Sequence, residues 1–252
     1  AIASKVPMLE PADSSESYNF AKKAFELSEK FDTPVLIRMC TRIAHSQSIV
    51  DTGERKEAER IEYKKNPAKY IMMPGNAKKR HPIVEERTMA LAAFAENCDF
   101  NREEMGGTDL GIITSGTCYQ YVKEVFGDSV SIYKIGLINP MPTDALKNFA
   151  SKVKKVVVVE DLISTAGSAV DTVKVLREAG AEVLGIASIF TYGMKKGLER
   201  LAENEVKNVS LCDLDALVKI AAESGYIKQD EKAKILKFRD NPSDEGWMKG
   251  DK

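Results

Sequence analysis

From residue 109 onward, short apolar runs alternate with amphipathic stretches. Leu110–Thr114 (LGIIT), Ser131–Gly136 (SIYKIG), Val156–Glu160, Glu182–Phe190 and Val206–Leu211 read as strands. Near-continuous apolar runs of this length are expected where a strand is buried on both faces. Between them, Tyr119–Phe126, Thr143–Val153, Ala169–Ala179, Lys195–Ala202, Asp215–Ser224 and Asp230–Arg239 read as helices, with Thr143 as a cap and Gly180 and Gly225 as closing glycines. Strand–helix alternation predicts an α/β fold built on a doubly wound parallel sheet. Any ligand then sits outside the carboxyl ends of the strands.

The earlier residues follow another pattern. Phe20, Ala24, Leu27 and Phe31 recur at helical spacing, which predicts a helix over Glu16–Phe31 started by Asp13 or Ser14. Pro34 breaks it, and Val35–Cys40 reads as a buried strand. One helix and one strand cannot bury themselves, so they must lean on something else. Residues 46–82 are rich in Lys, Arg and Glu and punctuated by Gly53, Pro67, Pro74, Gly75 and Pro82, so they read as an extended linker; Ile83–Asn97 is helical again. The expected organisation is an appendage and linker over 1–105, then an α/β domain over 106–252.

Composition narrows the function classes. Lys+Arg is 37 against Asp+Glu 38, a net charge of −1, which lacks the basic excess of a phosphate-neutralising nucleic-acid binder. No apolar run approaches the roughly 18 residues of a membrane span. The first residues lack the layout of a signal peptide, and the chain starts on Ala, as a processed or partial product would. Cys40, Cys98, Cys118 and Cys212 form no C-x-x-C pair, and His45 and His81 are the two histidines, so no metal site is expected. Scattered single thiols suit a reducing, cytoplasmic setting.

One run carries chemistry: Val156–Ser168, VVVVEDLISTAGS. Four valines form a strand, Glu160 and Asp161 sit at its end, and Leu162 and Ile163 anchor the turn. Ser164, Thr165, Ala166, Gly167 and Ser168 then lead into a helix expected to begin near Ala169. A loop of small residues before a helix N-terminus exposes backbone N–H groups, and the helix dipole adds positive potential. Such a turn suits a phosphate monoester, with Ser and Thr hydroxyls as further donors. The two carboxylates suit the vicinal hydroxyls of the sugar that carries it. A bare strand–loop–helix turn, with the acids merely capping, is the other reading of the same residues.

This run resembles the phosphoribosyl-diphosphate signature of phosphoribosyltransferases, and its wording is similar to orotate phosphoribosyltransferase. The likeness continues through EAGAEVLGIASIFTYG, DALVKIAAESGYI and KILKFRDNPSDEGW, roughly Val156 to Trp247. It implies that Glu160 and Asp161 bind the ribose 2′- and 3′-hydroxyls. It also implies that Ser164–Ser168 hold the 5′-phosphate, with Ser164 near the base. Ala166 stands where Gly is commoner, which restricts positive φ at that point.

The residues before about 155 resemble a different family. VPMLEPADSSESYNFAKKAFELSEKFDTPVLIRMCTRIAHSQSIV, NPAKYIMMPGNAKKRH, LGIITSGTCYQYVKEVF and KIGLINPMP are similar to the alpha subunit of indolepyruvate ferredoxin oxidoreductase. The likeness implies the end of its pyrimidine domain, its linker and its transketolase C-terminal-like domain. The α/β domain is then itself a hybrid, transketolase-like over 106–155 and phosphoribosyltransferase-like over 156–252. The join falls inside a strand, at Val153–Val156. Natural fusions join complete domains through a linker, so the chain reads as engineered or as an artefact of sequence assembly.

Missing parts shape the functional expectation. These 252 residues carry no thiamine-activating carboxylate and no Cys-rich cluster motif, so neither thiamine diphosphate nor an iron–sulfur cluster is expected. They also lack the transferase's hood and its flexible Lys-x-x-Lys-x-His-Gly-like loop; Lys78-Lys79-Arg80-His81 imitates that loop but lies in the oxidoreductase-like linker, as a solvated basic cluster. The expectation is a residual sugar-phosphate site, catalytically incomplete and without an assignable catalytic residue. The alternatives are an active orotate phosphoribosyltransferase using Mg²⁺ with phosphoribosyl diphosphate, and an oxidoreductase subunit fragment with an assembly role. No nucleic acid or membrane partner is expected. Self-association, or a homo-oligomer, is expected through the appendage, whose apolar helix face lacks its partner domain.

Overall fold

The computed structural model describes residues 1–55, 57 and 62–247. Lys56 and residues 58–61 of the expected linker lie outside the described residues. In chain order the elements are β1 (Met8–Leu9), α1 (Ser14–Phe31), β2 (Leu36–Ile37), α2 (Thr41–His45), α3 (Pro67–Tyr70), α4 (Pro74–Ala95), β3 (Arg102–Glu104), β4 (Leu110–Ser115), α5 (Cys118–Phe126), β5 (Ser131–Ile135) and β6 (Leu137–Asn139). They continue with α6 (Thr143–Ala150), β7 (Lys155–Ile163), α7 (Gly167–Glu178), β8 (Glu182–Thr191), α8 (Lys195–Glu203), β9 (Asn208–Asp213), α9 (Leu214–Glu223) and α10 (Gln229–Asp240). The chain divides into two compact units. One comprises Ala1–Arg102 with Ile135–Ala145, the other Glu103–Lys134 with Leu146–Lys252.

The first unit holds a three-stranded sheet ordered β2-β1-β6, with β1 parallel to β2 and antiparallel to β6. Helix α1 starts where Asp13 Oδ1 accepts from the Glu16 N–H at 2.8 Å, a side-chain N-cap. It buries Phe20, Ala24 and Leu27, the stripe its spacing predicts, in a cluster with Leu9, Leu91, Ala95, Phe100 and Leu137. Phe20 and Phe100 meet edge-to-face with centroids 5.1 Å apart.

Two expectations fail in this unit. Val35–Cys40 is not a buried strand: β2 is two residues at the sheet edge, and Leu36 and Met39 are 43% and 46% exposed. Among the described residues no further strand pairs with the outer edge of β2, and Leu36 and the following Met39 stay partly in solvent. Second, the helix expected from Ile83 begins at Pro74 and runs through Pro82. Pro74 occupies the first helical turn, where a missing N–H costs nothing. The charged turns that lack an apolar stripe are held by polar contacts instead: Arg80 pairs with Asp32 at 3.6 Å, and His81 Nε2 lies 3.2 Å from Glu85 Oε1. The basic run Lys78–His81 therefore lies on a helix, not on an extended linker. His45, at the end of α2, is exposed.

The second unit is built on a six-stranded sheet ordered β3-β5-β4-β7-β8-β9. Strands β4, β7, β8 and β9 are parallel neighbours, in register Leu110↔Lys155 to Thr114↔Val159 and Glu160↔Ser188. Leu146 and Phe149 of α6, Val156 of β7, and Val170, Val173 and Leu176 of α7 are fully buried, each worth about 1.5–3 kcal/mol on burial. Gly111 on β4 has no space for a side chain: a Cβ there would stand 2.7 Å from Val153 and 3.1 Å from Phe149.

The fold is of the expected α/β class with parallel strands β4, β7, β8 and β9, but one sheet face is covered only in part. Paired residues of parallel strands share a face, so Val159, Ala187 and Val209 line up beside α5. With Val125, Phe126 and Leu211 they border an apolar groove of about 460 Å³. Val209 and Leu211 are 57% and 85% exposed. No helix among the described residues is long and apolar enough to cross a membrane.

Candidate functional site

Strand β7 extends three residues beyond the expected end, to Ile163, because Leu162 and Ile163 keep their pairing with Phe190 and Thr191 on β8. Glu160 and Asp161 therefore lie within a strand. Successive residues of a strand project to opposite faces. The two half-buried carboxylates thus flank the strand rather than stand side by side.

The chain then turns through Ser164, Thr165 and Ala166. Ala166 is 4% exposed and adopts φ 56°, ψ 18°, the left-handed region. A residue with a side chain pays about 1–2 kcal/mol to be there, so Ala166 adopts the positive φ that its side chain was expected to restrict, and the turn is strained. The bend brings α7 in at Gly167, two residues earlier than Ala169. Gly167 and Ser168 thereby become its first turn, whose N–H groups have no acceptor within a helix.

Among the described residues those donors find no acceptor elsewhere. Among the described residues, the first α7 N–H that bonds back into the turn is that of Val170, to the Ala166 carbonyl at 3.1 Å. The backbone N–H groups from Thr165 to Ala169 have no protein acceptor there. The Ser168 carbonyl accepts from the Thr172 hydroxyl at 3.0 Å. Five consecutive small residues, a reversed bend and a cluster of unbonded donors at the positive end of a twelve-residue helix can hold an anion.

Helix α8 supports this turn. A Cβ on Gly197 would come 2.3 Å from the Ser164 carbonyl, so only glycine permits so close an approach. One turn further along, Arg200 Nη1 donates to the Thr165 carbonyl at 3.2 Å. The same nitrogen stands 2.8 Å from where a Cβ on Gly167 would be. Arg200 lies 35 residues from Thr165, and the glycine at 197 is the only trace of this packing in the sequence.

Cys98 and Cys118 are buried, Cys40 is half-buried and Cys212 exposed; all four are free thiols. Burial pushes the Cys98 thiol above its ordinary pKa, so it is held as the unreactive thiol. Among the described residues, no three His, Cys, Asp or Glu side chains cluster to hold a metal ion.

Comparison with known proteins divides the chain. It is 33% identical over 165 residues to the indolepyruvate oxidoreductase subunit IorA of Archaeoglobus fulgidus, a match covering 64% of this chain and 26% of that protein. It is 56% identical over 99 residues to the orotate phosphoribosyltransferase of Bacillus cereus, covering 39% of this chain and 47% of that enzyme. The two shares together slightly exceed the whole chain, so the matched regions overlap by a few residues. Among solved structures, a 2-oxoglutarate:ferredoxin oxidoreductase from Magnetococcus marinus aligns over 71% of this chain and 39% of its own, with 17% identity and a TM-score of 0.43. No family model matches. The chain is a hybrid of two resemblances, and it spans about a quarter of the oxidoreductase subunit and about half of the transferase.

Proposed function

We propose that the turn Ser164–Ser168 binds the 5′-phosphate of a phosphoribosyl group, and that Glu160 and Asp161 accept hydrogen bonds from its ribose hydroxyls. The observation that carries this reading is the set of unbonded N–H groups from Thr165 to Ala169 at the start of α7. A phosphate dianion offers the acceptors these donors lack, and the helix dipole favours its charge. Carboxylates on both sides of the β7 end repel the phosphate but accept from neutral hydroxyls, which orients the sugar relative to its phosphate. The 56% identity to an orotate phosphoribosyltransferase supports the same ligand class.

Binding without turnover is the second part of the proposal. Phosphoribosyl transfer passes through a ribose with oxocarbenium character, so catalysis rests on positioning and charge stabilisation. The match spans 47% of the transferase, and the proposal is confined to the residues of that match: they hold the sugar phosphate, and no clamp on the leaving diphosphate is assigned among them. The described residues do not fit a protein-held metal. Magnesium therefore enters only as a companion of a diphosphate-bearing ligand, and no step is assigned to it.

Calorimetric titration with ribose 5-phosphate, and with phosphoribosyl diphosphate with and without Mg²⁺, tests the reading. Saturable binding to the intact chain that is lost in Asp161→Asn is the expected result. Orotate consumption that depends on the diphosphate donor supports a working transferase instead. Absence of binding to either ligand leaves the oxidoreductase-like assembly role as the remaining reading.

A further inference from the structure

Arg200 has an unusual electrostatic position. Among the described residues no carboxylate lies within ion-pair distance of it, although its helix carries the pair Lys195–Glu199 at 3.8 Å. Its one side-chain hydrogen bond goes to the neutral Thr165 carbonyl, in the residue just before the left-handed bend at Ala166. It is half-buried, and its backbone carbonyl accepts from Asn204 Nδ2 at 2.7 Å, a further tie within α8. A guanidinium left without a counter-charge, partly out of water, beside a cluster of unbonded N–H groups raises the local positive potential above what the helix alone supplies.

We infer that Arg200 is a positioning residue of the phosphate turn, holding the Thr165 carbonyl so that the N–H groups of Gly167 and Ser168 converge on one point, and supplying the positive charge that a phosphate dianion needs there. The inference rests on the reading of that turn as a phosphate site. Its two halves have separate physical bases. The hydrogen bond opposes relaxation of the strained bend at Ala166, because rotation there would move the Thr165 carbonyl off the guanidinium. The charge acts through space and needs no direct bond to the phosphate. Arg200 can make both contributions because Gly167 and Gly197 let α8 lie directly against the turn.

Arg177 provides the control. Its guanidinium donates to the Asn204 and Glu205 carbonyls at 2.6 and 2.8 Å, a helix-end tie on the far end of α7 from the turn. Arg200→Gln, Arg200→Lys and Arg177→Gln in the full chain are compared by titration with ribose 5-phosphate, with backbone amide spectra of Gly167 and Ser168 recorded alongside. The expected result is about tenfold weaker binding in Arg200→Gln, the loss of one charge-assisted contribution. Partial recovery is expected in Arg200→Lys, which keeps charge without the planar fork. Arg177→Gln is expected to bind as the wild type does, whatever it does to thermal stability. Equal affinity in wild type and Arg200→Gln, with unmoved Gly167 and Ser168 amides, overturns the role of Arg200 while leaving the phosphate site standing. A wild-type chain that binds no ribose 5-phosphate overturns both.

Discussion

Thr114 and Val159 are register partners in adjacent parallel strands, the fifth and last pair between β4 and β7. Thr114 belongs to the oxidoreductase-like part of the sequence and Val159 to the transferase-like part. By the sequence likeness the join falls in strand β7, which pairs with β4 on one edge and β8 on the other. A parallel ladder depends on backbone geometry and on apolar side chains meeting on each face, both of which the two sources supply. Continuity through one sheet follows from that shared chemistry.

The join makes unfolding a test of the hybrid. Leu146 on α6 and Leu176 on α7 are both fully buried and lie on opposite sides of the join in sequence. Leu146→Ala and Leu176→Ala are each expected to cost about 2–5 kcal/mol. If the sheet is one cooperative unit, each lowers the same urea transition, and fluorescence and circular dichroism report coincident midpoints. Two separate transitions, each sensitive to one substitution, contradict this.

Ala166→Gly is expected to stabilise the chain. Relief of the left-handed bend is worth about 1–2 kcal/mol, and the added freedom of glycine in the unfolded chain returns about 0.5–1 kcal/mol. The net gain of roughly 0.5–1 kcal/mol appears as a rise of a few degrees in Tm. An unchanged or lowered Tm shows that the bend is not strained.

Asp32 couples the first unit to pH. Its hydrogen bond from Lys69 Nζ at 2.6 Å holds its carboxyl below the ordinary value against the opposing effect of burial, and the charges of Lys69, Arg80 and Arg87 add to the lowering. A carboxyl with a depressed folded pKa stabilises the fold fully above its unfolded pKa of about 4. That contribution is lost as pH falls through the lower folded value. Asp32→Asn is expected to destabilise at pH 7 and to show a smaller loss of stability on acidification. Denaturant melts of the two proteins from neutral to acid pH check this; parallel curves count against it.

Much of the second unit was legible because its strands are short apolar runs and its helices end in Gly180 and Gly225. Ala166 was singled out by the resemblance as an alanine where glycine is commoner, with positive φ restricted there; the structure nevertheless places it at φ 56°. The extension of β7 to Ile163 was not legible, because Leu162 and Ile163 earn their strand pairing from β8, a tertiary neighbour. The early start of α4 was not legible because a proline at 82 and a charged first half both argue against a helix, while polar contacts to Asp32 and Glu85 hold it. The exposed edge at Leu36 could not be read from apolar composition, which is the same for covered and uncovered strands. Arg200 left no local signal, since its partner lies in another element.

The central claim is that a sugar phosphate occupies the N-terminal turn of α7. Titration of the isotope-labelled chain with ribose 5-phosphate, followed through the backbone amides, tests it most directly. The account predicts saturable shifts centred on Thr165–Ala169, with smaller changes at Glu160 and Asp161. Amides in that turn that stay fixed at millimolar ligand, or saturable shifts confined to other segments, contradict it.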